Sequence, residues 1–194
     1  VALAPTLPEL IVAVDSEAQV DALDAALAGS KARVGVLIEA DIGMHRCGTD
    51  SPEETVALAR RIAKSRAAWR GIMGYEGHAV LVPDAGKRKE LAETAGAALR
   101  AHTLALRASG LAPEIVSAGG TGTFELTGSA DFVTEIQAGS YVFMDGRYRD
   151  VRTDFETALT LHTTVLRRRG RLVITDAGVK SLSSDFGMPR GADL

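Results

Sequence analysis

Several features that mark particular classes of protein are scarce or missing in this sequence of 194 residues. Cys47 is the single cysteine, so an internal disulfide is excluded and a reducing, cytoplasmic location is expected. The longest apolar runs are far shorter than the roughly 20 residues that span a bilayer. No segment resembles a signal peptide, so we expect a soluble protein without a membrane partner.

Concentrated positive charge is missing as well. The formal net charge is −3, and apart from Arg167–Arg169 the lysines and arginines are dispersed. The chain offers no tract that would neutralise a phosphate backbone, so nucleic acid is not an expected partner. With 46% hydrophobic residues it is long enough to bury one substantial core.

Strand and helix signals alternate through most of the chain. Ser51, Pro52 and Glu54 have the spacing of a helix N-terminus with a capping box. Gly110 is placed to end a long helix that begins near Asp84. Apolar runs predict strands at residues 10–14, 34–38, 71–75, 114–117 and 133–136. Strands that are apolar throughout indicate an α/β fold with a parallel sheet, either a barrel or an open doubly wound sheet.

The pattern changes towards the end of the chain. Residues 158–166 and 171–175 are rich in β-forming residues, and Arg167–Gly170 between them predicts a hairpin turn. We therefore expect a β-rich second region to begin near Asp154.

Two glycine-rich loops follow consecutive predicted strands. The first is Ser117–Thr123 and the second is Gln137–Tyr141. Glycine lets backbone N–H groups converge on an anion, and the loop hydroxyl groups add donors. Either loop alone is more typical of an ordinary turn, but the pair on consecutive strands predicts one phosphate site formed by both.

The loop after the second strand carries Arg46 between Gly43 and Gly48. From spacing alone, a surface arginine in a turn is favoured over a residue that pairs with an anionic cofactor oxygen. His45 and Cys47 flank Arg46, but two ligands do not make a closed site and no third soft ligand is near. The pair therefore does not predict a metal.

Tyr75, Glu76 and His78 lie within four residues at the end of the third strand. Imidazole titrates near neutral pH, which suits a general base, and a phenol can hydrogen-bond to or stack on an aromatic ligand. A histidine that only hydrogen-bonds within its loop is an equally good interpretation. His102 and His162 lie on a predicted helix face and in a predicted strand, which indicates structural roles.

Five segments, in order, make the chain resemble the D-threonine aldolase and D-serine dehydratase family of alanine racemase-like, fold-type III pyridoxal phosphate enzymes. The segments are Gly43–Gly48, Gly74–His78, Gly119–Thr123, Glu135–Asp145 and Asp176–Gly187. The resemblance covers nearly the whole chain. It implies part of a TIM-type (β/α) barrel of the alanine racemase N-terminal type in residues 1–153, followed by the start of a β-rich C-terminal domain in residues 154–194.

The resemblance also implies roles for individual residues. Arg46 would lie near the phenolic oxygen of pyridoxal 5′-phosphate, Tyr75 beside its ring and Gln137 at its pyridine nitrogen. A histidine in the position of His78 is expected to take the proton from the β-hydroxyl of the substrate. The residues expected around the phosphate are Gly119, Gly120, Thr121, Gly122, Thr123, Gly139, Ser140 and Tyr141.

The implied activity is a lyase reaction. It cleaves D-configured β-hydroxy amino acids such as D-threonine to glycine and an aldehyde, with pyridoxal phosphate and a divalent metal (Mn, Mg or Zn), in a homodimer. The Schiff-base lysine and the metal ligands of the family have no counterpart in this sequence, and Lys180 lies in a segment that the family shares beyond the barrel. We therefore expect the chain to be the middle of a longer enzyme.

Other interpretations stay open. The dehydratase relatives remove the α-proton and expel the hydroxyl on zinc, although Gly74–His78 looks more like the aldolases. A non-catalytic pyridoxal phosphate-binding protein shares the barrel, but the β-rich tail argues against it. The chain could also be a structural remnant that does not hold the cofactor alone.

Overall fold

A computed structural model describes residues 2–178, 180–183, 185 and 187–188. The chain divides into two compact units, Val1–Gly139 and Ser140–Leu194. In the first unit strands alternate with helices, which confirms the predicted repeat. The elements are β1 (Ile11–Val14), α1 (Glu17–Leu27), β2 (Gly35–Glu39), α2 (Pro52–Ile62), β3 (Ala68–Met73), α3 (Ala85–Ala108), β4 (Ile115–Ala118), α4 (Phe124–Gly128) and β5 (Glu135–Ile136).

The five strands of the first unit form one parallel sheet in the order β1-β2-β3-β4-β5. Crossovers between parallel strands are right-handed, so a sheet that always adds its next strand on the same side carries its helices on one face. The helices accordingly pack in sequence, α1 beside α2, α2 beside α3 and α3 beside α4. An open doubly wound sheet would reverse direction at a switch point, so the sequential order favours the barrel.

The core lies between the sheet and the helix layer. Ile38 of β2 and Ile72 of β3 are fully buried, and they belong to the same apolar cluster as Ile62 of α2 and Leu99 of α3. These residues keep the strands fixed, which positions the loops at the ends of the strands.

The helix ends lie at the predicted residues, but the capping box predicted for α2 is formed only in part. Ser51 Oγ accepts a hydrogen bond from the Glu54 N–H at 3.2 Å, with Pro52 as the first residue of α2. The Glu54 carboxylate accepts from the backbone N–H of Asp50 at 2.8 Å, one residue before the position that a capping box would use. Gly110 has a positive φ of 79° just after α3.

Strand β3 begins earlier than predicted and ends at Met73, so Tyr75 lies in the loop that follows the strand. The β2–β3 pairing shifts between Val36 and Leu37, whose partners are Trp69 and Gly71. Gly71 has a φ of 150°, and an added Cβ would lie 2.0 Å from the Ile115 carbonyl oxygen. Glycine is therefore required where β3 approaches β4.

The second unit contains two short 3-10 turns, Ser140–Val142 and Tyr148–Asp150, and an antiparallel hairpin of β6 (Val165–Arg169) and β7 (Leu172–Thr175). The predicted hairpin is confirmed, but the turn begins later than the predicted Arg167. The three arginines belong to β6, and the chain turns at Gly170, which has the left-handed φ of 59°. Of the segment Asp176–Gly187, residues 179, 184 and 186 lie outside the described residues.

Among the described residues, no helix has the length and apolarity that crossing a membrane requires.

Candidate functional site

The loops that carry the predicted site residues leave one edge of the sheet. Backbone hydrogen bonds join the strand ends along this edge: Ala40 N–H donates to Met73 O at 2.8 Å, and Gly74 N–H donates to Ser117 O at 3.0 Å. Gln137 N–H continues the row by donating to Ala118 O at 3.0 Å. Carboxyl ends of parallel strands are where such sheets form their sites.

The loop after β2 is folded around Asp41. Its Oδ1 accepts from the N–H groups of Gly43 at 2.9 Å and His45 at 3.0 Å, and its Oδ2 pairs with His45 Nδ1 at 2.9 Å. Partial burial raises the pKa of Asp41, but the backbone bonds from His45 and Gly43 and the His45 side chain outweigh it, so the pKa is lowered. The sequence did not single out this residue, although an Asp two residues before a glycine is typical of such turns.

Arg46 projects from this loop with 53% of its side chain exposed. Its guanidinium lies 3.5 Å from the Glu39 carboxylate at the end of β2. One long, half-exposed ion pair fixes a cation weakly, so the guanidinium stays available to an anionic oxygen.

His45 and Cys47, the pair that the sequence did not favour as metal ligands, have different surroundings. The His45 imidazole is paired with Asp41, and Cys47 is exposed. Throughout the described residues, no group of three or more His, Cys, Asp or Glu side chains is arranged to hold a metal ion.

His78, in the loop after β3, reaches back to the loop after β2. A Cβ added at Gly43 would lie 3.2 Å from His78 Cε1 and 3.4 Å from Nε2. The Nδ1 atom of His78 is buried and has no hydrogen-bond partner among the described residues. The imidazole is therefore packed in place but not saturated with hydrogen bonds.

Tyr75 from the same loop packs against the first glycine loop. A Cβ at Gly120 would lie 3.2 Å from Tyr75 Cε2 and 3.3 Å from its hydroxyl oxygen. The absence of a side chain at Gly120 thus lets the phenol ring lie on the loop backbone.

Glu76 lies between Tyr75 and His78 in the sequence, but its side chain contacts a different part of the chain. Its side chain is 1% exposed and lies beneath the first glycine loop. It accepts from Gly119 N–H at 3.1 Å, Thr123 Oγ1 at 2.8 Å and Thr127 Oγ1 at 2.6 Å. No local sequence signal could have found this role, because the partners are 43, 47 and 51 residues away.

The first glycine loop is a closed, buried turn. Gly120 N–H donates to Thr123 Oγ1 at 3.1 Å, and Thr123 N–H donates to Gly120 O at 3.0 Å. Thr121 and Thr123 are buried. A Cβ at Gly122 would lie 1.8 Å from Val80 O, so the loop backbone packs directly on the segment after His78.

The second glycine loop meets the first through Gln137, whose N–H also reaches Gly119 O at 3.2 Å. Gln137 Nε2 is buried without a hydrogen-bond partner in the described part of the chain. Gly139 has open space where a Cβ would be. Ser140 and Tyr141 belong to the second unit, where Tyr141 packs on Phe155 with ring centroids 5.4 Å apart.

The first unit therefore brings together the side chain of His78 with Gly43, and that of Tyr75 with Gly120. It also joins the backbone of Gln137 to the first glycine loop. His102 and His162 lie elsewhere: His102 Nδ1 is 2.7 Å from Thr55 Oγ1 inside the helix layer, and His162 is exposed in the second unit.

Comparison with known proteins gives the family. The profile of the alanine racemase N-terminal domain matches residues 2–146. The 3-hydroxy-D-aspartate aldolase of Paracoccus denitrificans (strain Pd 1222) is 34% identical over 189 residues, 92% of this chain and 49% of that protein. The D-threonine aldolase of Arthrobacter sp. is 32% identical over 93% of this chain and 49% of that protein.

A dehydratase and a solved structure extend the comparison. The D-threo-3-hydroxyaspartate dehydratase of Delftia sp. (strain HT23) is 31% identical over 80% of this chain and 42% of that protein. The crystal structure of D-threonine aldolase from Filomicrobium marinum matches with a TM-score of 0.87 at 34% identity, covering 93% of this chain and 50% of that one.

The chain spans about half the length of these relatives. The expected fold, a partial TIM-type barrel of the alanine racemase N-terminal type, is confirmed by these matches. The chain belongs to the D-threonine aldolase-like family of the alanine racemase-like, fold-type III pyridoxal phosphate enzymes.

Proposed function

We propose that this chain is part of a pyridoxal phosphate-dependent lyase that cleaves D-configured β-hydroxy amino acids to glycine and an aldehyde. The observation that carries the proposal is the buried Nδ1 of His78, which has no hydrogen-bond partner among the described residues, in an imidazole that packs on Gly43 of the neighbouring loop. A packed imidazole with spare hydrogen-bonding capacity suits a base that handles a substrate proton.

Two observations support the fit between these residues and the cofactor. Gln137 Nε2 is a second buried polar atom without a partner among the described residues, and buried donors are normally satisfied. Gly120 lacks the side chain that would displace the Tyr75 ring, since a Cβ there would lie 3.2 Å from Tyr75 Cε2. When bound, pyridoxal phosphate supplies the electron sink for cleavage at the substrate Cα.

Each of these residues has a proposed task toward the cofactor. Arg46 pairs with the phenolic oxygen, Tyr75 covers the ring and Gln137 faces the pyridine nitrogen. The phosphate is held by the two glycine loops, with residues Gly119, Gly120, Thr121, Gly122, Thr123, Gly139, Ser140 and Tyr141.

His78 is the proposed catalytic base. Its imidazole accepts the proton of the substrate β-hydroxyl, which allows the Cα–Cβ bond to break and the aldehyde to leave, and a proton taken up at Cα completes glycine. The family resemblance also implies a divalent metal, but the described side chains form no metal site, and no step of this proposal is assigned to a metal ion.

The second candidate is a dehydratase that yields a 2-oxo acid and ammonia. The relative that favours it is the D-threo-3-hydroxyaspartate dehydratase at 31% identity. Because both reactions act on the same hydroxyl, the product distinguishes them. A non-catalytic pyridoxal phosphate-binding protein would give neither product.

The test is a product assay on the full-length protein with pyridoxal phosphate, using D-threonine and 3-hydroxy-D-aspartate as substrates. We expect glycine and an aldehyde, with His78→Gln abolishing both products while cofactor binding is retained. His162→Gln, at an exposed histidine of the second unit, is the matched control and should keep full activity. A 2-oxo acid and ammonia from the parent protein would assign it to the dehydratases, and full activity of His78→Gln would locate the base elsewhere.

The proposal extends to the organisation of the protein. Residues 1–153 form part of the cofactor-binding barrel and residues 154–194 begin the β-rich C-terminal domain, in a cytoplasmic homodimer. The hairpin of β6 and β7 in the second unit supports the β-rich character of the tail.

A further inference from the structure

A buried carboxylate lies under the first glycine loop, and the reaction proposed above does not use it. Glu76 takes three hydrogen bonds, from Gly119 N–H at 3.1 Å, Thr123 Oγ1 at 2.8 Å and Thr127 Oγ1 at 2.6 Å. Two of the donors belong to the loop itself, and the third belongs to α4 behind it. These bonds join a side chain that is 1% exposed to the segment that follows β4.

Glu76 also controls a second backbone group of the loop indirectly. Thr123 Oγ1 donates to Glu76 Oε1 and accepts from Gly120 N–H at 3.1 Å. A hydroxyl has one proton to donate, so its donation to the carboxylate turns its lone pairs towards Gly120. The orientations of two consecutive peptide N–H groups, those of Gly119 and Gly120, therefore depend on one carboxylate.

We propose that Glu76 is the positioning residue of the phosphate-binding loop: it fixes the peptide planes of Gly119–Thr123 so that the loop binds the phosphate group of the cofactor. This inference rests on the proposed function, because it assumes that the loop binds phosphate. The N–H groups of Gly119 and Gly120 are themselves taken by Glu76 and Thr123, so the phosphate would bind to other donors of the loop. Those donors can form an anion site only when the peptide planes are held in one orientation, since glycine itself permits many.

The inference is testable because the charge of Glu76 and its positioning of the loop have opposite effects on the affinity for phosphate. A buried negative charge beside a phosphate is repulsive, so its removal would strengthen phosphate binding if charge alone mattered. If position matters, Glu76→Gln weakens phosphate binding, because an amide has one acceptor oxygen and turns an N–H donor towards a loop donor.

The experiment compares two probes, pyridoxine 5′-phosphate and pyridoxine, which differ in the phosphate and form no Schiff base. Affinities for the full-length protein are measured by calorimetry, and folding is checked by thermal melting. We expect Glu76→Gln to weaken pyridoxine 5′-phosphate about tenfold or more while pyridoxine changes less than about twofold. Thr127→Val removes a hydrogen bond to the same carboxylate from α4, outside the loop, and should leave the ratio of the two affinities unchanged.

The outcomes separate this inference from the proposed function. If the parent protein binds neither probe, both are overturned. If the parent prefers the phosphorylated probe but Glu76→Gln keeps that preference or strengthens it, the positioning role is overturned and the proposed function stands. If Glu76→Gln does not fold, Glu76→Asp is compared with the parent instead. Its side chain keeps the charge but is one methylene too short to reach all three donors. An unchanged preference in Glu76→Asp would then overturn the inference.

Discussion

The imidazole of His78 packs on the backbone of Gly43, so that a Cβ at Gly43 would lie 3.2 Å from His78 Cε1. The two residues follow different strands, β2 and β3, and Gly43 has a φ of 112°. The bare backbone of one loop therefore sets the position of the proposed base carried by the next loop.

Gly43→Ala should displace His78 and reduce lyase activity. The added methyl group lies closer to the ring than an ordinary contact, and the positive φ adds backbone strain. A misplacement of the reacting group by about 1 Å can cost up to about a hundredfold in rate, so we expect a loss of ten- to a hundredfold in kcat/KM.

Gly29→Ala is the control for this prediction. Gly29 also has a positive φ, 74°, but nothing lies within 4 Å of an added Cβ. It should lower stability slightly and leave kcat/KM unchanged. Equal activity in the two variants would show that His78 does not depend on Gly43.

The elements of the first unit were predictable because their signals are local. Apolar runs mark buried strands, and Ser51 and Asp84 each accept a backbone N–H at the start of a helix. The arginines of β6 were not recognised as a strand, because an exposed hairpin carries no pattern of buried residues. The periodicity of burial is the main signal in a sequence, and an exposed strand does not have it.

The site was predictable only in part, for the same physical reason. That the loops meet at one edge follows from the parallel sheet, so Tyr75, His78 and the glycine loops could be grouped from the sequence. The role of Glu76 could not be predicted, because its loop partners are 43 and 47 residues away and depend on the register of β3 and β4.

Arg46→Ala should weaken binding of pyridoxal phosphate and raise the pKa of its phenolic oxygen, because a nearby cation favours the anionic form. Absorbance titration of the bound cofactor measures both effects, and we expect about a tenfold loss of affinity. Arg46→Lys should restore only part of it, since an ammonium keeps the charge but not the planar fork.

Arg60→Ala, at an exposed position of α2, serves as the control for lost positive charge. It should not alter the titration. Superimposable titration curves for Arg46→Ala and the parent would show that Arg46 does not interact with the cofactor.

Gly122→Ala should destabilise the fold. An added Cβ would lie 1.8 Å from Val80 O, so the backbone of the first glycine loop or of the segment after His78 must move. We expect a loss of about 1–3 kcal/mol in the free energy of unfolding, measured with urea. Gly96→Ala, inside α3 with nothing within 4 Å of its Cβ, should instead stabilise by about 1 kcal/mol. A Gly122→Ala protein as stable as the parent would contradict the close packing of Gly122 on Val80.

Stability should fall as the pH decreases through about 6.5, because of His102. Burial lowers the pKa of this histidine, an effect that the carboxylates of Glu53 and Glu54 offset only in part. The unfolded chain therefore binds a proton near pH 6.5 that the folded chain does not yet bind, so the contribution of His102 is complete above that pH and is lost below it.

His102→Asn should flatten this dependence in thermal melts recorded between about pH 5 and pH 8, since the titrating group is gone. The lowered pKa of Asp41 makes stability depend on pH only below about 3.8, the value of the unfolded chain, and so does not affect the slope between about pH 5 and pH 8. His162→Asn, at an exposed histidine, should keep the slope of the parent. An unchanged slope in His102→Asn would assign the pH dependence to other groups. A flattened slope would assign it to His102, which lies at one end of a chain of hydrogen bonds that runs through Thr55 to Thr49 at the base of the Arg46 loop.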